Sequence, residues 1–156
     1  MSDLFERVLL PIAEKTDAQA TARAVQAHLD DDSRVIAVHV IEKAGGAPDK
    51  AGVEQRELEA EESFDALRDG LGDGDVDTEI RYGTDVADTI FEAAADHDVS
   101  SIVITPRGGS RLVRLLTGDV ALDIVTESDR PVVVLPDPER DDGSDGSTAT
   151  DGGSEA

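Results

Sequence analysis

The chain has 156 residues, enough for one domain with a real core, and a net charge of -22 from 36 acidic against 14 basic side chains. That charge opposes nonspecific contact with nucleic acid or an anionic membrane, and the absence of cysteine excludes disulfides, thiolate catalysis and Cys-ligated metals. Asp outnumbers Glu by 23 to 13 and Arg outnumbers Lys by 11 to 3, a balance that suits a surface kept soluble in a salt-rich cytoplasm.

The opening M-S-D-L-F-E-R has no basic-then-apolar signal pattern, and no apolar run approaches ~18 residues, so a cytoplasmic protein is expected. Arg7 to Ile12, interrupted at Pro11, and Arg34 to Ile41 are short, β-rich runs and read as the first two strands. Between them Thr16 and Asp17 offer N-caps to a helix with Ala22, Val25 and Leu29 at helical spacing, ended by a turn at Asp30 to Asp32. Glu42 to Gly52, with three glycines and a proline, reads as a loop. A longer helix follows over Val53 to Leu71, striped by Leu58, Phe64, Leu67 and Leu71.

Val76 to Tyr82 alternates apolar and charged residues, which predicts a strand with one exposed face at or near a sheet edge. Thr84 or Asp85 caps the next helix, which carries Val86, Ile90, Phe91 and Ala94. Ile102 to Ile104 is then apolar on both faces and reads as a central strand. A last helix over about Asp119 to Ser128 is expected to bury Val120, Ile124 and Val125, and Val132 to Leu135 forms the last strand. Alternating β and α units imply one α/β domain, a five-stranded parallel sheet with helices on both faces. From Asp137 onward the chain is too polar to order itself and reads as an acidic, disordered tail.

Chemistry concentrates between Thr105 and Pro136. Arg107, Arg111 and Arg114 crowd a loop holding Gly108 and Gly109, ahead of a helix opening near Gly118. There backbone N–H groups and the helix dipole attract anions, which makes a candidate phosphate site. A structural reading competes, in which the glycines make a tight connection and the arginines pair with Asp123 or Glu127. Residues 101–136 carry four basic and four acidic side chains and are neutral, while residues 1–100 sum to -16, so an anion or a second copy approaches this segment most easily. His28, His39 and His97 have no metal-ligand spacing, and no Ser, His and acid arrangement reads as a nucleophile elbow, so neither a metal centre nor a catalytic constellation is expected.

The element order, the glycine loop after the fourth strand and the closing R-P-V-V-V-L-P resemble the universal stress protein family, over Leu4 to Pro136, in particular small single-domain halophilic archaeal forms. The resemblance implies the family's Rossmann-like sheet, of the adenine-nucleotide alpha hydrolase type, and homodimerisation through the last strand, here Val132, Val133, Val134 and Leu135. ATP-binding members carry G-x2-G-x9-G-[S/T], a spacing that falls on Thr105, Gly108, Gly118 and Asp119, so two positions match. An Asp after the first-strand V-P-x is replaced by Ala13, while Pro11 and Val40 fit the family's nucleotide cleft.

Thr105 adds a side chain where backbone approaches ligand. Asp119 is the harder departure: a like-charge pair at roughly 4 Å and an effective dielectric near 20 costs about 4 kcal/mol, or around a thousandfold in affinity. As a first-turn carboxylate Asp119 suits the helix dipole. The resemblance thus implies a dimeric regulatory domain, not an enzyme, with a degraded ATP motif. One alternative is an ATP-binding sensor, with slow hydrolysis open, using Pro11, Val40, Arg107, Gly108, Gly109, Gly118, Asp119 and Val120. Another is a regulatory subunit docking on a transporter or enzyme.

Overall fold

A computed structural model describes residues 3–42, 50–72, 75–105, 118–136 and 138. Among the described residues its elements are β1 (Arg7–Pro11), α1 (Lys15–Gln26), β2 (Arg34–Glu42), α2 (Lys50–Leu71), β3 (Val76–Gly83), α3 (Val86–Asp96), β4 (Ser101–Ile104), α4 (Gly118–Glu127) and β5 (Val132–Val134), with β and α alternating. The strands form one five-stranded sheet in the order β3-β2-β1-β4-β5 with every pairing parallel. The expected architecture holds, with β3 and β5 at the two edges.

Parallel strands covered on both sides must be apolar on both faces. Val8, Leu9 and Leu10 of β1 are fully buried, and they divide by parity between two cores. Val8, Leu10, Val35, Ala37 and Val103 face α1 and α2, packing on Ala18, Ala22, Val25, Phe64 and Leu67. Leu9, Ile36, Val38, Ile102 and Ile104 face α3 and α4, packing on Ala87, Ile90, Ala94 and Ile124.

Helix ends follow local chemistry. The Asp85 carboxylate accepts the Asp88 N–H at 2.9 Å and caps α3. After α3, Asp98 adopts a left-handed φ of 49°. Its N–H then donates to Ala95 O and that of Val99 to Ala94 O, a Schellman closure. Gly72, with φ 76°, stands just past α2 in the same conformation. On β3, Arg81 bonds Glu79 and Asp96, each at 2.8 Å, and Glu79 also meets His97 Nε2 at 2.8 Å. Charge thus blunts this edge against pairing.

Several expectations need correction. The N-cap of α1 is Glu14, ahead of both Thr16 and Asp17, because the helix starts at Lys15; Asp17 lies inside its first turn and is buried. α1 stops at Gln26, so Leu29 packs from beyond the helix, and α2 begins at Lys50, inside the stretch read as a loop. Of the expected stripe of α2, Phe64 and Leu67 are fully buried and Leu71 packs on the core, but Leu58 is 61% exposed, and Ala60, Ser63 and Ala66 complete the buried side. Val125 is 54% exposed, since only one side of α4 meets the sheet, through Ile124. β5 ends at Val134 with Leu135 beyond it, while β4 is interior as expected, paired to β1 and β5 and buried throughout. The tail from Glu139 on lies outside the described residues.

α1 and α2 approach so closely at one point that a Cβ on Gly70 would lie 2.5 Å from the Cβ of Ala22. Gly70→Ala in an ordinary exposed helix site stabilises by about 1 kcal/mol. Here overpacking of about 1–3 kcal/mol outweighs that gain. Urea denaturation should therefore show Gly70→Ala destabilised, and Ala22→Gly added to it should restore part of the loss.

Candidate functional site

The chain winds from β1 outward to β2 and β3, then returns to β4 on the opposite side of β1, so the direction of winding reverses between β1 and β4. At such a reversal the connections leave in opposite directions and open a crevice at the carboxyl ends of the strands. The described pieces of the candidate site attach to that edge. Pro11 ends β1 and is buried, and Ala13 and Val40 pack half-buried against the α3/α4 core. Thr105 follows β4 and is fully buried, with no hydrogen-bond partner for its hydroxyl among the described residues. α4 starts at Gly118, which puts Gly118, Asp119 and Val120 in its first turn. Arg107, Gly108 and Gly109, like Arg111 and Arg114, lie outside the described residues.

Two consequences follow. The side chain of Thr105 is turned into the protein, so its bulk does not stand in open solvent at the strand end. Asp119 lies within the first turn of α4, a helix whose amino end carries partial positive charge. The same field would otherwise serve a bound phosphate.

His39, on β2, belongs to this edge. Its Nδ1 lies 2.8 Å from the carbonyl oxygen of Ile12, the residue after β1. A carbonyl only accepts, so Nδ1 carries the proton and, in the neutral ring, Nε2 carries the lone pair. Burial lowers the pKa of His39 below its ordinary 6.5, opposed by the bond to Ile12 and the charge of Glu59 and reinforced by Arg56. The available signal was parity, because His39 falls on the same face of β2 as buried Val35 and Ala37, a polar ring in an apolar row.

His28 stacks on Phe5 and His97 meets Glu79, so the three histidines are used separately. Among the described residues no group of three or more His, Asp or Glu could hold a metal ion. A groove of about 780 Å³ lined by Lys15, Gln19, Glu62, Asp65 and Gly70 runs between α1 and α2 and includes none of the strand-end residues. No helix among the described residues is long and apolar enough to cross a membrane.

A family model described as the universal stress protein family matches residues 4–136. Among solved structures, the universal stress protein of Archaeoglobus fulgidus in complex with dAMP is 19% identical with a TM-score of 0.62, the match covering 85% of this chain and 99% of that one. A universal stress protein in complex with cAMP is 15% identical at a TM-score of 0.58, covering 86% and 99%. UspA of Lactobacillus plantarum is 21% identical at 0.56, again covering 86% and 99%. No curated protein matches.

Because the folded pKa of His39 is depressed, its contribution to stability is complete above the unfolded value of 6.5 and is lost as pH falls through the folded one. Between those two values the unfolded chain binds more protons. Chemical denaturation from pH 7.5 to pH 5 should therefore show a steeper loss of stability in the parent than in His39→Gln, at roughly 1.4 kcal/mol per unit of depression. Parallel curves would remove His39 as the cause.

Proposed function

The chain belongs to the universal stress protein family, and on that premise we propose that it is a dimeric regulatory module whose crevice no longer favours nucleotide polyphosphates. The observation that carries this reading is the position of Asp119 in the first turn of α4, at the amino end of the helix that opens onto the strand edge. A phosphate there would meet a carboxylate that can only accept hydrogen bonds and repels its charge. The penalty runs from about 1 kcal/mol in water to about 4 kcal/mol at an effective dielectric near 20 for charges ~4 Å apart. Loss of the family's Asp at Ala13 acts in the same direction by removing a group that would hold a nucleotide.

A second reading keeps an adenine-nucleotide sensor. It is favoured by the strand-end frame of Pro11 and Val40 at the reversal between β1 and β4, and by relatives solved with dAMP and cAMP. In that reading Arg107, Gly108, Gly109, Gly118 and Val120 surround the phosphates and a cation offsets Asp119. Titration calorimetry with ATP and Mg²⁺ in concentrated KCl separates the two. The regulatory reading expects Asp119→Ser to bind ATP at least tenfold more tightly than the parent. Equal, micromolar binding by both would instead establish the sensor.

Dimerisation rests on β5. Val132, Val133 and Val134 form an edge strand, Val134 is 50% exposed, and the strand belongs to the charge-neutral segment of an otherwise strongly acidic chain. An apolar open edge invites pairing, and a second copy satisfies it by isologous contact. Val133→Glu should then run as a monomer in sedimentation velocity at a concentration where the parent is a dimer. A dimeric Val133→Glu would move the interface elsewhere. The segment from Asp137 to the end acts in this account as a solubilising acidic tail outside the domain of residues 1–136.

A further inference from the structure

The bonds around Ile12 are not those of a continuing ladder. The pairing of β1 with β2 ends at Pro11 opposite Val38, and the Ile12 N–H still donates to Val38 O at 2.9 Å. In a regular parallel ladder the carbonyl of Ile12 would next accept the N–H of Val40, because residues two apart present their backbone to the same neighbour. That bond is not made. The Ile12 carbonyl accepts from the His39 ring instead, and the Val40 N–H, directed by parity toward β1, has no partner among the described residues.

We propose that His39 is a positioning residue that holds the β1/β2 ladder open at its carboxyl end, leaving the Val40 N–H as an uncommitted donor in the crevice. The imidazole, bonded through Nδ1 to Ile12 O, satisfies the carbonyl that would otherwise pair with Val40, and so removes the cost of leaving it unbonded. That donor belongs to the strand-end frame of Pro11 and Val40 already named for the sensor reading, and what is added is the residue that keeps it out of the ladder, whatever molecule the crevice takes. The inference is independent of whether that molecule is a nucleotide, because it concerns how the strand ends are held in the free protein.

The neighbours of the ring support a fixed role over a titrating one. On α2, Arg56 and Glu59 act on the ring with opposite sign, and Arg56 itself donates to the Glu42 carbonyl at 3.3 Å at the end of β2. Burial favours the neutral ring, and Nδ1 donates to Ile12 in either protonation state.

Three NMR readouts on the parent, His39→Leu and His39→Gln decide the matter without any ligand. Long-range ¹H–¹⁵N spectra of the parent should report the Nδ1–H tautomer at neutral pH. The Val40 amide should exchange at least tenfold faster than those of Val38 and Ile41. In His39→Leu the Ile12 carbonyl is free to accept from Val40, so protection at Val40 should rise at least tenfold. In His39→Gln, whose side-chain amide can still donate to Ile12, Val40 should remain fast. An Nε2–H tautomer, a Val40 amide as protected as its neighbours in the parent, or no change in His39→Leu each overturns the proposal. Should His39→Leu not fold, the two measurements on the parent suffice.

Discussion

Everything in this molecule depends on β1 being paired on both edges and covered on both faces. Its Val8, Leu9 and Leu10 are completely withdrawn from water, and at roughly 1.5–3 kcal/mol for each fully buried aliphatic side chain they anchor both cores at once. Because β2 and β4 flank this strand from opposite sides, the direction of winding must reverse beside it, and the crevice at its carboxyl end is a consequence of topology. Pro11, Ile12 and Ala13 occupy that end whatever their side chains. In the proposed reading, those side chains and Asp119 on α4 set which molecules the crevice takes.

The two sheet edges are handled differently, and charge explains the difference. Along β3, Arg81 is held by Glu79 and Asp96 while the end of α3 adds His97, so the open backbone is lined with paired charges. Paired surface charges of this kind add little stability individually, but they make a poor surface for another strand. β5 has no such protection among the described residues and is three consecutive valines. A chain with net charge -22 meets a copy of itself against strong repulsion except where its own charge is balanced, as it is over residues 101–136. Apolar edge and neutral segment coincide.

Much of this was legible from residue order. Short β-branched runs alternating with helical stripes identified the parallel sheet, and the charged alternation of V-D-T-E-I-R-Y identified an edge strand, while the glycine loop pointed to the stretch after β4, of which residues 106–117 lie outside the described residues. Residues whose role depends on a third partner were not legible. Leu58 sits at helical spacing with Phe64, but spacing alone does not tell which side of a 22-residue helix meets the sheet, and Ala60 and Ala66 take the inner positions. Glu14 occupies the N-cap position of α1, with no side-chain bond to the helix, because the helix starts at Lys15, which propensity at Thr16 and Asp17 could not foresee. The partner of His39 was not legible for a related reason: it is a backbone carbonyl 27 residues away, and a carbonyl leaves no trace in the sequence.

The central claim is that the crevice keeps the hydrogen-bonding frame of its strand ends while a carboxylate in the first turn of α4 sets it against phosphate. The most direct measurement is calorimetric titration of the parent protein with adenosine and with ATP plus Mg²⁺, side by side at the same salt concentration and free of copurified nucleotide. The account predicts that ATP binds no more tightly than adenosine, because the triphosphate adds repulsion at Asp119 in place of attraction. ATP binding tenfold or more tighter than adenosine would contradict it, since the phosphates would then be held at the helix end that Asp119 is argued to close.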